Sequence, residues 1–261
     1  MKAFNKELFK WLVEISDIYY NSILIPRVDI KRFSKDPDYA RKKFLLYWAY
    51  ERPNAPLAYK VAAIKTIESY SDNNSDYQEH YKQFYSEKKN PSRNPGYDKR
   101  ILSIEFPNIT KQIETGNLFT AYNMINLCGI GHKIKTFFIR DMVSLLYVEN
   151  KIINNPEKLI FTQPVDVWIQ YFMNPIKVKL ELNCGFSAYS IGAEKKNLEI
   201  GLKILQLCNE ANVSPVKVSQ AMWFFCSRIV ADPNRLEWLI KSQDISLFQK
   251  EYDLVGEYIV N

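Results

Sequence analysis

A lysine and an aspartate set around a glycine turn are the residues of this sequence best placed to do covalent chemistry. Leu127 to Val143 reads Leu-Cys-Gly-Ile-Gly-His-Lys-Ile-Lys-Thr-Phe-Phe-Ile-Arg-Asp-Met-Val, with Gly129-Ile130-Gly131 between two stretches of helical spacing. Glycine there permits a tight turn and lets backbone amides approach a phosphate closely, so the hairpin is suited to gripping a nucleic-acid backbone. Lys133 stands two residues past the second glycine, at the start of the second helix, and Pro164-Val165-Asp166 supplies a carboxylate 33 positions after Lys133. A lysine attacks carbon only when neutral, which requires its pKa to fall from about 10.4 through desolvation or nearby positive charge. A neighbouring carboxylate can assist proton transfer and stabilise the positive charge that develops.

The elements that must position this pair are helical. Apolar residues recur at helical spacing in Phe4 to Tyr20, Ala40 to Tyr50, Leu57 to Tyr70 and Tyr77 to Tyr85, then in Lys99 to Ile113 with Pro107 as an expected kink. Leu118 to Leu127 and Lys133 to Tyr147 form the pair flanking the turn. Lys88 to Tyr97 reads as an exposed loop, and Glu149 to Pro164 as a long aperiodic connection whose length suggests function or mobility. A short helix should run from Asp166 through Phe172, and longer ones over Lys195 to Ala211 and Pro215 to Val230, the last with Ser214 as cap and Pro215 at its first position. Only Pro175 to Asn183 alternates like a strand, with Ile176, Val178, Leu180 and Leu182 between polar residues.

Composition limits the function classes. The chain has 261 residues, 47% of them hydrophobic, enough for one large core or two smaller lobes. Thirty-five basic against 29 acidic residues give a formal charge of +6, a modest excess that favours a polyanionic partner. Lys2, Lys6, Glu7 and Lys10 interrupt the start where an apolar signal segment would lie, so an intracellular, soluble protein is expected. Cys128, Cys184, Cys208 and Cys226 match no compact metal-ligand spacing and read as reduced thiols; His80 and His132 are the only histidines, which excludes multi-histidine metal chemistry.

A helix, a Gly-hydrophobic-Gly turn, a second helix and a downstream Pro-Val-Asp resemble the helix–hairpin–helix (HhH-GPD) DNA glycosylase superfamily. Within it the chain looks most like the archaeal 8-oxoguanine DNA glycosylase group, whose lysine and aspartate are also separated by over thirty residues. Weaker likeness extends to Asp36-Pro37-Asp38-Tyr39, to His80-Tyr81 and to a late helix carrying Trp223. The resemblance implies a bifunctional glycosylase and AP lyase, with Lys133 as nucleophile, Asp166 as its catalytic partner, and no cofactor or metal. It implies that Gly129, Ile130, Gly131, His132 and Lys135 meet the DNA backbone. It also implies a base pocket of Phe137, Trp223, Tyr81, Asp38 and Ser219. Tyr81 stands where the group has tryptophan, Asp38 where it has glutamine and Ser219 where it has aspartate. An ionised carboxylate only accepts hydrogen bonds, whereas an amide also donates, so the pattern offered to a purine differs.

Each residue also has a plainer reading. The glycine turn can join two helices without a ligand, and Lys133 can contact a phosphate. Asp166 can cap the helix that begins there, and Asp38 can be a first-turn acid favourable to the helix dipole. Phe137 and Trp223 can be core, while His132, Lys135 and Arg140 suit either backbone contact or a solvated helix face.

The expectation is an all-α, two-lobed protein: a helical barrel over 57–165 ending in the hairpin, and a second lobe of 1–56 and 166–261 closing the base pocket. It would act as a monomer on damaged double-stranded DNA in the cytoplasm, nucleoid-associated and away from any membrane, and excise an oxidised purine. The alternatives are a non-catalytic protein that binds damaged DNA through the same hairpin, and a glycosylase for another damaged base.

Overall fold

The first helix follows directly from its residues. Phe4, Leu8, Phe9, Trp11 and Leu12 fall on one face of α1 (Lys2–Glu14) and are buried, while Lys6, Glu7 and Lys10 face solvent. A computed structural model describes residues 2–50, 104–126, 130–153 and 155–259, with side chains described as far as 44 in the first segment and 254 in the last. Among these residues every regular element is helical, as the sequence predicts.

Among the described residues, α2 (Ser16–Tyr19), α3 (Ile30–Phe33), α4 (Pro37–Tyr50), α5 (Phe106–Glu114), α6 (Leu118–Met124), α7 (His132–Leu145) and α8 (Pro156–Leu159) precede the aspartate, with a π-helical stretch at Tyr20–Leu24 and one short turn at Ile25–Arg27 between α2 and α3. Beyond the aspartate lie α9 (Val167–Met173), α10 (Lys195–Ala211), α11 (Pro215–Phe224), α12 (Pro233–Ser242) and α13 (Ile245–Ile259). α7 is the central element: all its residues except Lys133, Lys135 and Ser144 are buried, and it packs on α4, α5, α6 and α11. α1 lies against α10, α11 and α13, so the two ends of the chain share one core.

That core is continuous from Phe4 to Phe248. Aromatic packing crosses the expected boundary between 56 and 57: Phe33 and Phe44 meet Phe138 of α7 at ring separations of 5.8 and 5.1 Å, and both touch Phe106 of α5. The helices expected at Leu57 to Tyr70 and Tyr77 to Tyr85, and the loop at Lys88 to Tyr97, lie outside the described residues.

The structure corrects four expectations. Pro107 does not kink a helix; it sits in the first turn of α5, where its missing N–H costs nothing. The connection from Glu149 to Pro164 is structured and is buried from Leu159 onward, containing short 3-10 turns at Glu149–Lys151 and Ile160–Thr162 besides α8. Glu149 fastens it to α11, accepting from the Ser214 hydroxyl at 2.6 Å and the Val216 N–H at 3.3 Å. Pro175 to Asn183 forms no strand. Its alternation is real, with Ile176 buried and Val178, Leu180 and Leu182 partly buried against the core, but its backbone partner is one side chain. Gln206 accepts from the Glu181 and Leu182 N–H groups at 2.8 and 3.2 Å and donates to the Lys179 carbonyl at 3.0 Å, which satisfies main-chain groups without a second strand. Finally, the helix from Pro215 ends in a π-helical stretch, Phe225–Val230, and α12 and α13 follow it, neither of them anticipated.

Candidate functional site

Gly131 opens α7 in extended backbone, φ −84° and ψ −177°, and its carbonyl accepts the Lys135 N–H at 3.2 Å. It caps the helix without any side-chain hydrogen bond, and an added Cβ would meet nothing within 4 Å. Among the described residues nothing packs closely enough to demand glycine here. The first N–H groups of α7 gather at its positive dipole end, beside an exposed Gly131. Ile130 is buried, and Gly129 lies outside the described residues.

Lys133 is the second residue of α7 and is half-buried, one of two lysines in that first turn and a half. Thr136 donates to the carbonyls of both His132 and Lys133, at 2.9 and 3.0 Å, which stiffens the turn that carries the amine.

Asp166 caps α9: its Oδ1 accepts the Trp168 and Ile169 N–H groups at 2.9 and 3.0 Å, as the capping reading of that residue requires. Its Oδ2 accepts the indole N–H of Trp223 at 3.0 Å. Trp223 in turn meets Phe137 edge to face, 5.4 Å between centroids and 83° between planes. Asp166, Trp223 and Phe137, far apart in sequence, thus form one contact chain, and Phe137 is one helical turn beyond Lys133. All three are buried, with Phe137 only 1% and Trp223 4% exposed. As the ring pair stands, both aromatics are core residues with no open face.

A buried polar network with no local sequence signature adjoins them. Arg140 is fully buried and pairs with the adjacent Asp141 at 2.8 Å. It also donates to the Tyr19 hydroxyl at 2.6 Å and the Ser219 carbonyl at 3.3 Å, and its guanidinium covers the Phe137 ring at 4.6 Å. Tyr19 and Gln220 complete the surroundings of Asp141, donating at 2.8 and 3.4 Å. The backbone-contact reading of Arg140 is therefore overturned: the residue is fully buried in charge-assisted bonds and offers nothing to a ligand. Ser219 is buried beside it. Asp38 belongs to a different environment, 58% exposed in the first turn of α4 and paired with Arg41 at 2.9 Å. Tyr81 falls outside the described residues.

His132 is also corrected as a side-chain contact to DNA. It is 9% exposed and turned inward, with Nδ1 3.1 Å from the Tyr122 hydroxyl. That hydroxyl also bonds the Ile191 carbonyl, which can only accept. The tyrosine proton therefore goes to Ile191, His132 must carry its proton on Nδ1, and Nε2 keeps a lone pair. Burial, with the Lys135 charge nearby, pushes the His132 pKa down to about 4. Lys135 lies over the Tyr122 ring at 4.5 Å, and burial lowers its pKa below the ordinary lysine range.

Cys184, Cys208 and Cys226 are buried and form no disulfide; burial raises the thiols of Cys208 and Cys226 well above their ordinary value. Among the described residues no group of three or more His, Cys, Asp or Glu could hold a metal ion. None of the described helices is long and apolar enough to cross a membrane. No protein-family model, curated protein or solved structure matches this chain.

Proposed function

We propose that the chain is a DNA glycosylase with AP-lyase activity, of the helix–hairpin–helix type, acting as a monomer on damaged double-stranded DNA and excising an oxidised purine, 8-oxoguanine. The observation that carries this reading is the contact chain from Asp166 through Trp223 to Phe137, which lies on α7 one turn beyond Lys133. A lysine that only contacts a phosphate would need no chain of contacts leading from its own helix to a fixed carboxylate.

In this reading the damaged nucleotide is turned out of the duplex, at a cost of a few kcal/mol. The neutral Lys133 amine attacks C1′ as the C1′–N bond to the base breaks, and the base leaves with the electron pair. Asp166 stabilises the positive charge on the sugar. The amine then gives a Schiff base with the opened sugar; loss of the C2′ proton expels the 3′ phosphate and cuts the strand, and water releases the lysine. Gly131 and the first amides of α7 hold a backbone phosphate. Asp38 and Ser219 belong to the pocket only on the strength of the family resemblance.

A second reading is favoured by one observation: Phe137 and Trp223 are closed on each other, as in a structural core, which suits a protein that binds distorted DNA without chemistry. Borohydride reduction separates the two. A labelled duplex containing 8-oxoguanine should give a covalent adduct that is absent from undamaged DNA and lost in Lys133→Gln. An adduct on an abasic duplex alone would keep the lyase and reject the substrate; no adduct on either would leave the binding protein.

A further inference from the structure

The segment between α9 and α10 holds a feature that the proposed chemistry does not use. Tyr189 is 96% exposed, the most exposed large apolar side chain among the described residues, yet the loop beneath it is tightly built. Ser190 bonds Ser187 twice, its N–H to the Ser187 hydroxyl at 3.1 Å and its own hydroxyl to the Ser187 carbonyl at 2.8 Å. The Gly192 N–H reaches the Tyr189 carbonyl at 3.2 Å, and the Ala193 N–H reaches the Ala188 carbonyl at 2.9 Å. Gly192 turns the chain at φ +62°, a conformation that suits glycine.

Both feet of this loop are anchored, Phe186 against the core and Ile191 within it. Phe186 stacks near Phe119 at 4.8 Å and meets Phe161 at 5.2 Å. Ile191 is buried, and its carbonyl takes the Tyr122 hydroxyl that also bonds His132, the first residue of α7. Consecutive Cα atoms are about 3.8 Å apart, so the Tyr189 Cα stands within about 8 Å of that of Ile191, which Tyr122 links to the first residue of α7. Lys195 and Lys196 follow at the start of α10 and are exposed, with Glu194 as the opposing charge beside them.

We infer that Tyr189 is a base-stacking contact: the loop presents its ring to a nucleobase of the strand whose phosphate lies at the hairpin. The inference rests on the nucleic-acid reading of that hairpin and extends it to a second element. A preformed loop loses little conformational entropy on binding, and an exposed ring stacks on any base regardless of sequence. Continuity with the hairpin, through Ile191, Tyr122 and His132, favours nucleic acid over a protein partner for this ring.

The test uses the full chain and a fluorescently labelled duplex with one stable abasic analogue, titrated by anisotropy at several salt concentrations. Tyr189→Ala should weaken binding by roughly 5- to 150-fold, the range for one lost base–aromatic stack, and leave the salt slope unchanged because no phosphate contact is removed. Tyr189→Trp should restore affinity, with its added fluorescence quenched on binding. Equal affinity of Tyr189→Ala and the parent, while the parent is still trapped by borohydride, overturns the stacking role and spares the glycosylase. Weakened binding in a parent that is never trapped upholds the stacking role and rejects the glycosylase. A parent that binds no DNA overturns both.

Discussion

Replacing Gly131 by alanine separates a glycine kept for the fold from one kept for a ligand. At φ −84° alanine is unstrained, and its Cβ would meet nothing within 4 Å. The folded chain should not suffer, and fewer unfolded conformations should stabilise it by about 0.4–1 kcal/mol. A phosphate drawn against the first amides of α7 would meet that methyl group. Loss of one charge-assisted hydrogen bond costs about 1.5–3 kcal/mol, a roughly 10- to 150-fold weaker complex. Gly131→Asp sharpens the contrast: as an N-cap it should stabilise α7 by about 1 kcal/mol, while its carboxylate occupies the amides and repels the phosphate, so binding should fall further than in alanine. Thermal denaturation reports the first quantity and anisotropy on a labelled duplex the second. Stability held or raised while binding falls is a pattern that general damage to the fold cannot produce. Unchanged binding in both variants, or a clear fall in melting temperature for alanine, would refute the phosphate seat.

The network around α7 gives three more expectations. Trp223→Phe keeps the ring against Phe137 but removes the N–H from Asp166, so about 1.5–3 kcal/mol and roughly 3–12 °C of melting temperature should go, and the strand-cleavage rate should fall with it; an unchanged melt would deny that the bond is structural. Arg140→Met leaves Asp141 as a buried, partly unpaired charge and should cost about 3–5 kcal/mol in chemical denaturation, whereas adding Asp141→Leu should recover part of that loss; no recovery would show that the ion pair is not the source. His132 has a folded pKa below its unfolded one, so its contribution is present above about pH 6.5 and is lost as pH falls toward about 4, on the order of 3 kcal/mol in all. His132→Gln should flatten the stability profile in that window, and identical profiles would refute the assignment.

The parts of the fold that were legible are those where a local signal and burial agree. Lys195–Ala211 is the helix that its apolar spacing predicts, and Ser214 with Pro215 starts α11 as a cap and first-turn proline should. Asp232 with Pro233 is the same signal, and Asp232 does cap α12 through the Asn234 N–H at 2.8 Å, so that helix could have been read from its start. The alternation of Ile176 to Leu182 was misleading for a physical reason: period two reports an extended chain with one buried face, and says nothing of what satisfies its backbone. The site divides in the same way. Asp166 as a cap follows from its place before a helix, but its bond to Trp223 spans 57 residues and has no local signature. Neither do the Arg140 pairings, since an arginine and aspartate side by side on a helix usually point to different sides.

α7 presents two different packing faces. His132 and Lys135 meet Tyr122, while Phe137 meets Trp223 and is covered by Arg140. A base entering beside Phe137 must part it from Trp223, and an edge-to-face pair is worth only about 0.5–1.5 kcal/mol beyond its buried area. Stacking an unpaired base on an aromatic ring returns about 1–3 kcal/mol, so the exchange is open on energetic grounds. The proposed chemistry requires that the Trp223 indole stay on Asp166, because that bond fixes the carboxylate oxygen not already used in capping α9. A ring that swings about its anchored N–H admits the base and keeps the charge in place. If Trp223 moves in this way, its fluorescence should change when an 8-oxoguanine duplex binds and stay constant with undamaged DNA, measured against Trp223→Phe to subtract the other four tryptophans. An equal change with both duplexes would mean that the ring does not open for the damaged base, and Phe137 and Trp223 would then be core and nothing more.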